Sequence, residues 1–405
     1  MPSVGASLFW IALCAVVAPI VAGLVPRKLV PEVVLLLIGG MLIGPHVLGL
    51  AVDGPEIGLL SELGLGMLFL LAGYEIDTDE LTGRGGRRAL VTWCTCLALA
   101  FLLIGLLGLT GAISGEVAVA IALTSTALGT LLPILKDSGV VNTRIGRTVL
   151  NHGAFGELGP VVAMAVLLGS RGTVGSLIVL VVFAAAAVVV GLIPDRVRRA
   201  GSRLPSIIRL GSETTAQTTV RLTILLLVSL GALAAIFEVD GILAAFAAGF
   251  ILRRAVPAGD EKLEAKLEGL AFGLLIPIFF ITSGMAIDVS AVAAKPGVLV
   301  AFLLLILLVR GLPVFVAERF DRGPDGTDEP PTLRQRGQVA LYSATGLPLI
   351  VAVTGVAVAA GEMSPANASI LVAAGAITVL VLPLAASLLG GRAPTQNAPA
   401  PADRT

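Results

Sequence analysis

Apolar runs of about 20 residues recur along the whole of this 405-residue chain. At about 1.5 Å per residue, each is long enough as a helix to cross about 30 Å of hydrocarbon. Lipid offers no hydrogen bonds, so each run must satisfy its own backbone, and a helix does so. Composition agrees: 56% of residues are hydrophobic, 13% charged and 4% aromatic. The fold class expected is therefore an all-α polytopic membrane protein, not a soluble domain. Thirteen spans are predicted, at roughly 5–25, 29–48, 58–74, 89–111, 116–136, 146–169, 173–194, 217–237, 240–255, 269–287, 297–317, 335–360 and 366–390. The first lacks a basic flank and reads as an uncleaved helix rather than a signal peptide. The Pro/Ala-rich tail, 391–405, reads as disordered and cytoplasmic, and no appended soluble domain is expected. Cys14, Cys94 and Cys96 fall in apolar runs as small hydrophobes, without disulfide or metal spacing.

Charge placement tests the span count. With loops assigned alternately to two sides, 24 of the 27 basic residues fall on one side. Only Arg171 and Lys295 fall on the other, and Arg310 lies inside a span. An error in the count would scramble this alternation. The positive-inside rule then puts the N-terminus outside and the C-terminus in the cytoplasm, and the location expected is the inner (plasma) membrane, multi-pass.

The chain also echoes itself. "LLAGYEID" (70–77) matches "FITSGMAID" (280–288), aligning Gly73 with Gly284 and Asp77 with Asp288. "ALTSTALG" (122–129) matches "ALYSATGL" (340–347), aligning Ser125 with Ser343. "VLLG" (166–169) matches "SLLG" (387–390). The order is the same in both halves, which predicts two six-helix repeats, 5–169 and 217–390, joined by a linking helix at 173–194. Seven spans separate the repeat starts, so the second inserts upside down, a hallmark of alternating-access transporters. Spans 5 and 12 carry small polar residues at mid-membrane, Thr124, Ser125 and Thr126 in one and Ser343 and Thr345 in the other. Pro133 and Pro348 follow them. Two broken, crossing helices are expected, whose half-helix ends face a central site. The plain alternative is small-residue packing with hydroxyls bonded to their own backbone.

Glu157 and Arg310 are the two charges placed near mid-bilayer. A charge there costs at least about 2.5–3.5 kcal/mol on insertion scales, so each should face the protein interior and have a role. A buried carboxyl can hold a proton or a cation, and competition between them is what an exchanger needs. A Glu157–Arg310 ion pair that merely ties two helices is the structural alternative, and both hold if Arg310 pairs with the empty carboxylate. Glu157 falls opposite Thr378 in the second repeat, so the scaffold is duplicated and the charge is not. Asn151 could face the same cavity, whereas His152 is expected nearer the cytoplasmic edge. Glu75 and Asp77 read as solvated end charges. No metal-ligand spacing, phosphate loop, nucleophile elbow or nucleic-acid-binding stripe is present in the sequence, and no cofactor is expected.

"PEVVLLLIGGMLIGPHVLGL", "LSELGLGMLFLLAGYEID", "ALTSTALGTLLPILKDSG", "IPIFFITSGMAID" and "ALYSATGLPLIVAV" together resemble the monovalent cation:proton antiporters, sodium/proton exchanger branch. The resemblance runs from about residue 10 to 390. It implies a homodimer, a mobile core of spans 4, 5, 6, 11, 12 and 13, and an ion-binding carboxylate at Glu157. The family's usual pair there is Asp-Asp, Asn-Asp or Gln-Asp; this chain has Gly156-Glu157, and it has Arg310 where electrogenic members carry lysine. The function expected is exchange of Na⁺ or K⁺ for H⁺, with the monovalent cation at Glu157 and Thr124, Ser125, Thr126, Ser343 and Thr345 around it. One titratable carboxylate predicts electroneutral 1:1 exchange. The alternative is a proton-coupled organic solute transporter of the same fold; a membrane sensor would need an output domain.

Overall fold

A computed structural model of the chain describes residues 2–24, 30–76, 83–108, 115–137, 139–168, 172–199, 217–256, 261–322 and 329–390. Asp77, five of the loop basic residues (Arg27, Lys28, Arg171, Arg203 and Arg209) and the tail expected to be disordered, with Arg392 and Arg404, lie outside the described residues. Among those described the chain is helical, without a strand. The helices are α1 Val4–Leu24, α2 Glu32–Ile43, α3 Pro55–Glu75, α4 Arg84–Gly108, α5 Glu116–Leu123, α6 Leu128–Asp137, α7 Arg144–Leu167, α8 Gly172–Arg199, α9 Thr218–Phe237 and α10 Gly241–Ala255. Then come α11 Glu261–Met285, α12 Val289–Ala294, α13 Pro296–Phe320, α14 Leu333–Ser343, α15 Leu347–Ala359 and α16 Pro365–Gly390. Eight stretches of the described residues are helical, long and apolar enough to cross a membrane. Shorter apolar helices lie within Glu32–Ile43, Glu116–Leu132 and Gly175–Val189.

Local chemistry sets the boundaries. Thr143 opens α7 by accepting a hydrogen bond from Gly146 N–H (3.3 Å), and Asp240 opens α10 by accepting from Ile242 N–H (2.7 Å). Thr332 and Gln335 form a reciprocal capping box at α14. Asp288 caps α12, where the Ser290 hydroxyl and the Ala291 N–H hold its carboxyl below the usual carboxylate range. Within α11 and α13 a π turn sits immediately before a proline. Ile276 N–H reaches Ala271 O ahead of Pro277, and Leu312 N–H reaches Leu307 O ahead of Pro313. Proline has no N–H and crowds the preceding turn, and the wider turn absorbs both effects without breaking the span.

Two groups of helices result. In one, α3 packs along α10, α2 along α11, α1 on α2, and α9 on α10. In the other, α4 packs on α7 and α13, α14 on α7 and α16, and α5 on α4 and α15. α8 touches α7, α9 and α10, and so contacts both. Glycine allows the tightest contacts. Between α3 and α10, Gly73 lies against Phe246 O and Gly249 against Leu70 O; between α2 and α11, Gly40 lies against Ile281 O and Gly284 against Leu37 O. In lipid, association rests on such close packing because tails are as apolar as the side chains they would displace.

A side chain at Gly249 would collide with the α3 backbone, which cannot fold away. Gly249→Leu should therefore destabilise the purified protein by about 1–3 kcal/mol. Gly231→Ala, in α9 with open space around it, should leave stability unchanged or raise it slightly. Thermal unfolding in detergent checks both.

Candidate functional site

The chain leaves helix at 124–127 and again at 344–346, and the two breaks touch. Ala127 N–H donates to Thr345 O (2.8 Å), the Thr126 hydroxyl donates to Ser343 O, and Ser125 Oγ lies 3.3 Å from Gly346 O. Thr124 and Thr345 spend their hydroxyls on their own helix ends, at Ile121 O and Tyr342 O (2.8 Å each). Ser125 also bonds back, to Ala122 O at 2.7 Å. Of the five small polar residues singled out in the sequence, Thr126 thus reaches furthest across, while Ser343 keeps a buried hydroxyl with no partner. All five are at most 2% exposed.

Helix α7 passes beside this crossing, and its sequence Gly153-Ala-Phe-Gly156-Glu157-Leu-Gly159-Pro160 explains how closely. The glycines recur every three residues along one side. A Cβ at Gly153 would strike Leu128, one at Gly156 would strike Arg310 and Thr126, and one at Gly159 would strike Trp93. Pro160 removes the N–H that would normally bond the carbonyl four residues back. That carbonyl belongs to Gly156, and it accepts Thr126 N–H instead (2.8 Å). Glu157, next in line, is 4% exposed, and the Leu128 N–H at the first residue of α6 lies close enough to act on its carboxyl. The positive end of a half-helix is therefore aimed at the carboxyl. Its Oε2 is buried with no hydrogen-bond partner.

Arg310, expected as the charge partner of Glu157, forms no ion pair with it among the described residues. Its Nε donates to Thr126 Oγ1 (3.0 Å) and lies 3.4 Å from Ser343 O, and its Nη2 donates to His152 O (2.6 Å). Nη1 lies 3.8 Å from Cys96 Sγ. The guanidinium fills the space that Gly156 leaves, and its hydrogen bonds go to the crossing, the His152 carbonyl and Cys96 rather than to the carboxyl. The fully buried cation braces the break.

The remaining candidates fall on other faces. Asn151 is half-buried, with its amide against Gly85 of α4. His152, expected nearer the edge, is 2% exposed, and its Nε2 is 2.9 Å from Oε1 of the equally buried Glu318. A cavity of about 280 Å³ is lined by Glu75, Glu264, Arg253, Leu132 and Leu150, and ends on Leu128 and Ala154, one turn from Glu157. Glu75, read from sequence as a solvated end charge, is exposed, and it also lines this cavity, near enough for its charge to act on Glu157. Sequence reasoning missed Glu318 because it sits where a span meets a charged loop. It also passed over Pro160 and the glycine spacing, although both were readable in the motif around Glu157. A buried carboxyl beside a helix end, with an unpartnered oxygen, can take up a proton or a small cation, one at a time.

The family described as "Sodium/hydrogen exchanger, transmembrane" matches residues 12–389. The chain is 26% identical over 359 residues to the Na(+)/H(+)-K(+) antiporter GerN of Bacillus cereus, covering 84% of this chain and 87% of GerN. It is 30% identical over 314 residues to YjbQ of Bacillus subtilis strain 168, a candidate Na(+)/H(+) antiporter by name, covering 72% of this chain. The match spans only half the length of YjbQ. The fold resembles that of the sodium proton antiporter MjNhaP1 from Methanocaldococcus jannaschii, with a TM-score of 0.65 at 20% identity over 95% of this chain and 97% of that one. With nearly the whole chain inside the family match, and its helices arranged as in MjNhaP1, the protein belongs to the transmembrane sodium/hydrogen exchanger family.

Proposed function

We propose that this protein exchanges a monovalent cation, Na⁺ or K⁺, for H⁺ by alternating access, one for one and without net charge movement. The observation that carries the reading is the Glu157 carboxyl: buried beside two broken helices, close to Leu128 N–H, with Oε2 unpartnered. A proton or a monovalent cation neutralises it once, so the loaded forms of the site carry equal charge. Arg310 carries a fixed charge and is engaged elsewhere, and Gly156 adds no second carboxyl. The names of GerN and of the Escherichia coli relative KefC, a potassium-efflux protein by title, favour Na⁺ or K⁺ as the cargo. Glu75 and Glu264 line the cavity with one cation, Arg253, and the net negative lining would favour cations. About 280 Å³ falls below the usual range for drug-sized ligands, roughly 300–1,000 Å³, which disfavours an organic cargo.

The thirteen-span, inverted-repeat reading has its own support. Exchanging the second and third spans with the ninth and tenth turns the α2–α11 contact into the α10–α3 contact. The aligned glycines Gly73 and Gly284 sit at these two contacts. On this reading the group of α4 to α7 and α13 to α16 moves against the rest, the protein is a plasma-membrane homodimer, and the cavity faces the cytoplasm.

In liposomes, Glu157→Gln should abolish cation-driven pH change while the protein still inserts; Glu157→Asp should keep part of it. Wild-type rates in the Gln variant would end this mechanism. Charge balance is tested by imposing a potential with an ionophore for an ion that is not carried. One uncompensated charge is worth about 2.3 kcal/mol per 100 mV, roughly a fifty-fold shift in equilibrium. The expected result is no shift, and no steady current on a solid-supported membrane.

A further inference from the structure

The His152–Glu318 pair is buried within the helix bundle, and the exchange reading gives neither side chain a task. Both residues are 2% exposed and 2.9 Å apart, one on α7 and the other at the end of α13. Leaving two such groups deep among helices is costly unless they are matched to each other. His152 and Glu157 are five residues apart, roughly 140° around α7. The pair therefore sits on a different flank from the Glu157 carboxyl, and no described hydrogen bond joins them.

What the pair does share with the site is a backbone. The His152 carbonyl accepts Arg310 Nη2 at 2.6 Å, while its ring meets Glu318. Arg310 and Glu318 both belong to α13, so one helix grips one residue of α7 at two points, backbone and ring. From Arg310 the connection continues to the Thr126 hydroxyl (3.0 Å), and Thr126 N–H donates to Gly156 O (2.8 Å). Two residues beyond Thr126, Leu128 N–H lies close enough to Glu157 to act on its carboxyl. A slip of α7 along α13 would have to break the ring contact and the carbonyl contact together. Just beyond Glu318, Asp321 accepts from Arg88 Nη1 (2.5 Å) and from Arg144 Nη2 (3.1 Å), tying the same end of α13 to α4 and to the start of α7.

We propose that Glu318 is a positioning residue: by holding the His152 ring it fixes the register of α7 on α13, and so keeps Arg310, Thr126 and Leu128 N–H aligned with Glu157. It acts as a hydrogen-bond acceptor and supplies no proton to the site. Its role in cation affinity rests on the exchange reading above; its role in register does not.

The experiment uses the full chain with Glu318→Leu, Glu318→Gln, His152→Leu and the double Leu variant. Glutamine keeps an acceptor oxygen for His152 Nε2–H and removes the charge. In the purified proteins, amide hydrogen exchange over residues 126–131 should speed up in Glu318→Leu and return close to wild type in Glu318→Gln. Exchange over residues 246–251 of α10 should not change. In liposomes, with Na⁺ and K⁺ supplied in turn, Glu318→Leu should raise the apparent KM for the cation about tenfold, the scale of one buried hydrogen bond, with a smaller change in maximal rate. The double variant should be no worse than either single one, because both remove the same contact. Normal exchange in both Leu variants would overturn the proposal. So would a Gln variant as impaired as Leu, which would assign the pair a charge or proton role, or additive effects in the double variant. If Glu318→Leu does not insert, His152→Leu decides the same question. Should wild-type protein carry no cation against protons, the function fails while the hydrogen-exchange comparison still judges the register.

Discussion

Two helices that break inside a membrane leave backbone groups with no water to bond, and the arrangement of this protein answers that shortage. The ends created at 124–127 and 344–346 largely satisfy one another, through Ala127 N–H to Thr345 O and the Thr126 hydroxyl to Ser343 O. What they do not take is supplied from α7 and α13. Pro160 frees the Gly156 carbonyl for Thr126 N–H, and Arg310 brings the Thr126 hydroxyl and the His152 carbonyl together. Non-helical backbone at membrane depth is tolerated where protein encloses it, and here Thr124, Ser125, Thr126 and Ala127 N–H each have a backbone acceptor. Leu128 N–H lies close to an ionisable group, Glu157.

That allocation depends on the absence of side chains as much as on their presence. Gly156 admits the guanidinium, Gly346 admits Ser125, and Gly153 admits Leu128. The same device recurs between α3 and α10 and between α2 and α11, where glycines bring helix backbones into contact. The two uses differ in consequence. Glycines between α2, α3, α10 and α11 set how helices lie against each other, whereas those of α7 determine which polar groups reach the site. Thr378, the counterpart of Glu157 in the sequence echo, bonds its own turn at Gly375 O (2.7 Å) and offers no second acid.

Much of this was legible in advance, for identifiable reasons. Helical spans follow from the cost of bare backbone in lipid, so Val4–Leu24 and Pro296–Phe320 could be read from apolar length alone. The breaks were legible because small polar residues at matching places in both halves weaken helices there. Glu157 stood out because a mid-span carboxylate is expensive. Pairings were less legible. Arg310 and Glu157, two opposite charges at mid-membrane, suggested an ion pair, yet Arg310 is consumed by carbonyls and a hydroxyl. Charge alone cannot reveal that competition, since the competing acceptors are backbone atoms whose availability depends on where the helices end. Glu318 was hidden for a related reason: it lies at a span end, where sequence cannot separate a side chain in water from one turned inward, whereas Glu75 at its own span end is exposed, as the sequence suggested.

The sequence by itself determined that the chain is a bundle of membrane helices with two interrupted ones and a lone carboxylate at mid-span, because lipid penalises every other reading locally, residue by residue. It also carried the family, since the motifs that mark it are contiguous. Tertiary structure alone decided which donor meets which acceptor. The turn of Leu128 N–H toward Glu157, the diversion of Arg310 to the His152 carbonyl and the clasp of Glu318 on the His152 ring join residues from 29 to 166 positions apart. Their partners are set by how closely glycine-lined helices approach, a property of the packed bundle and of no single segment.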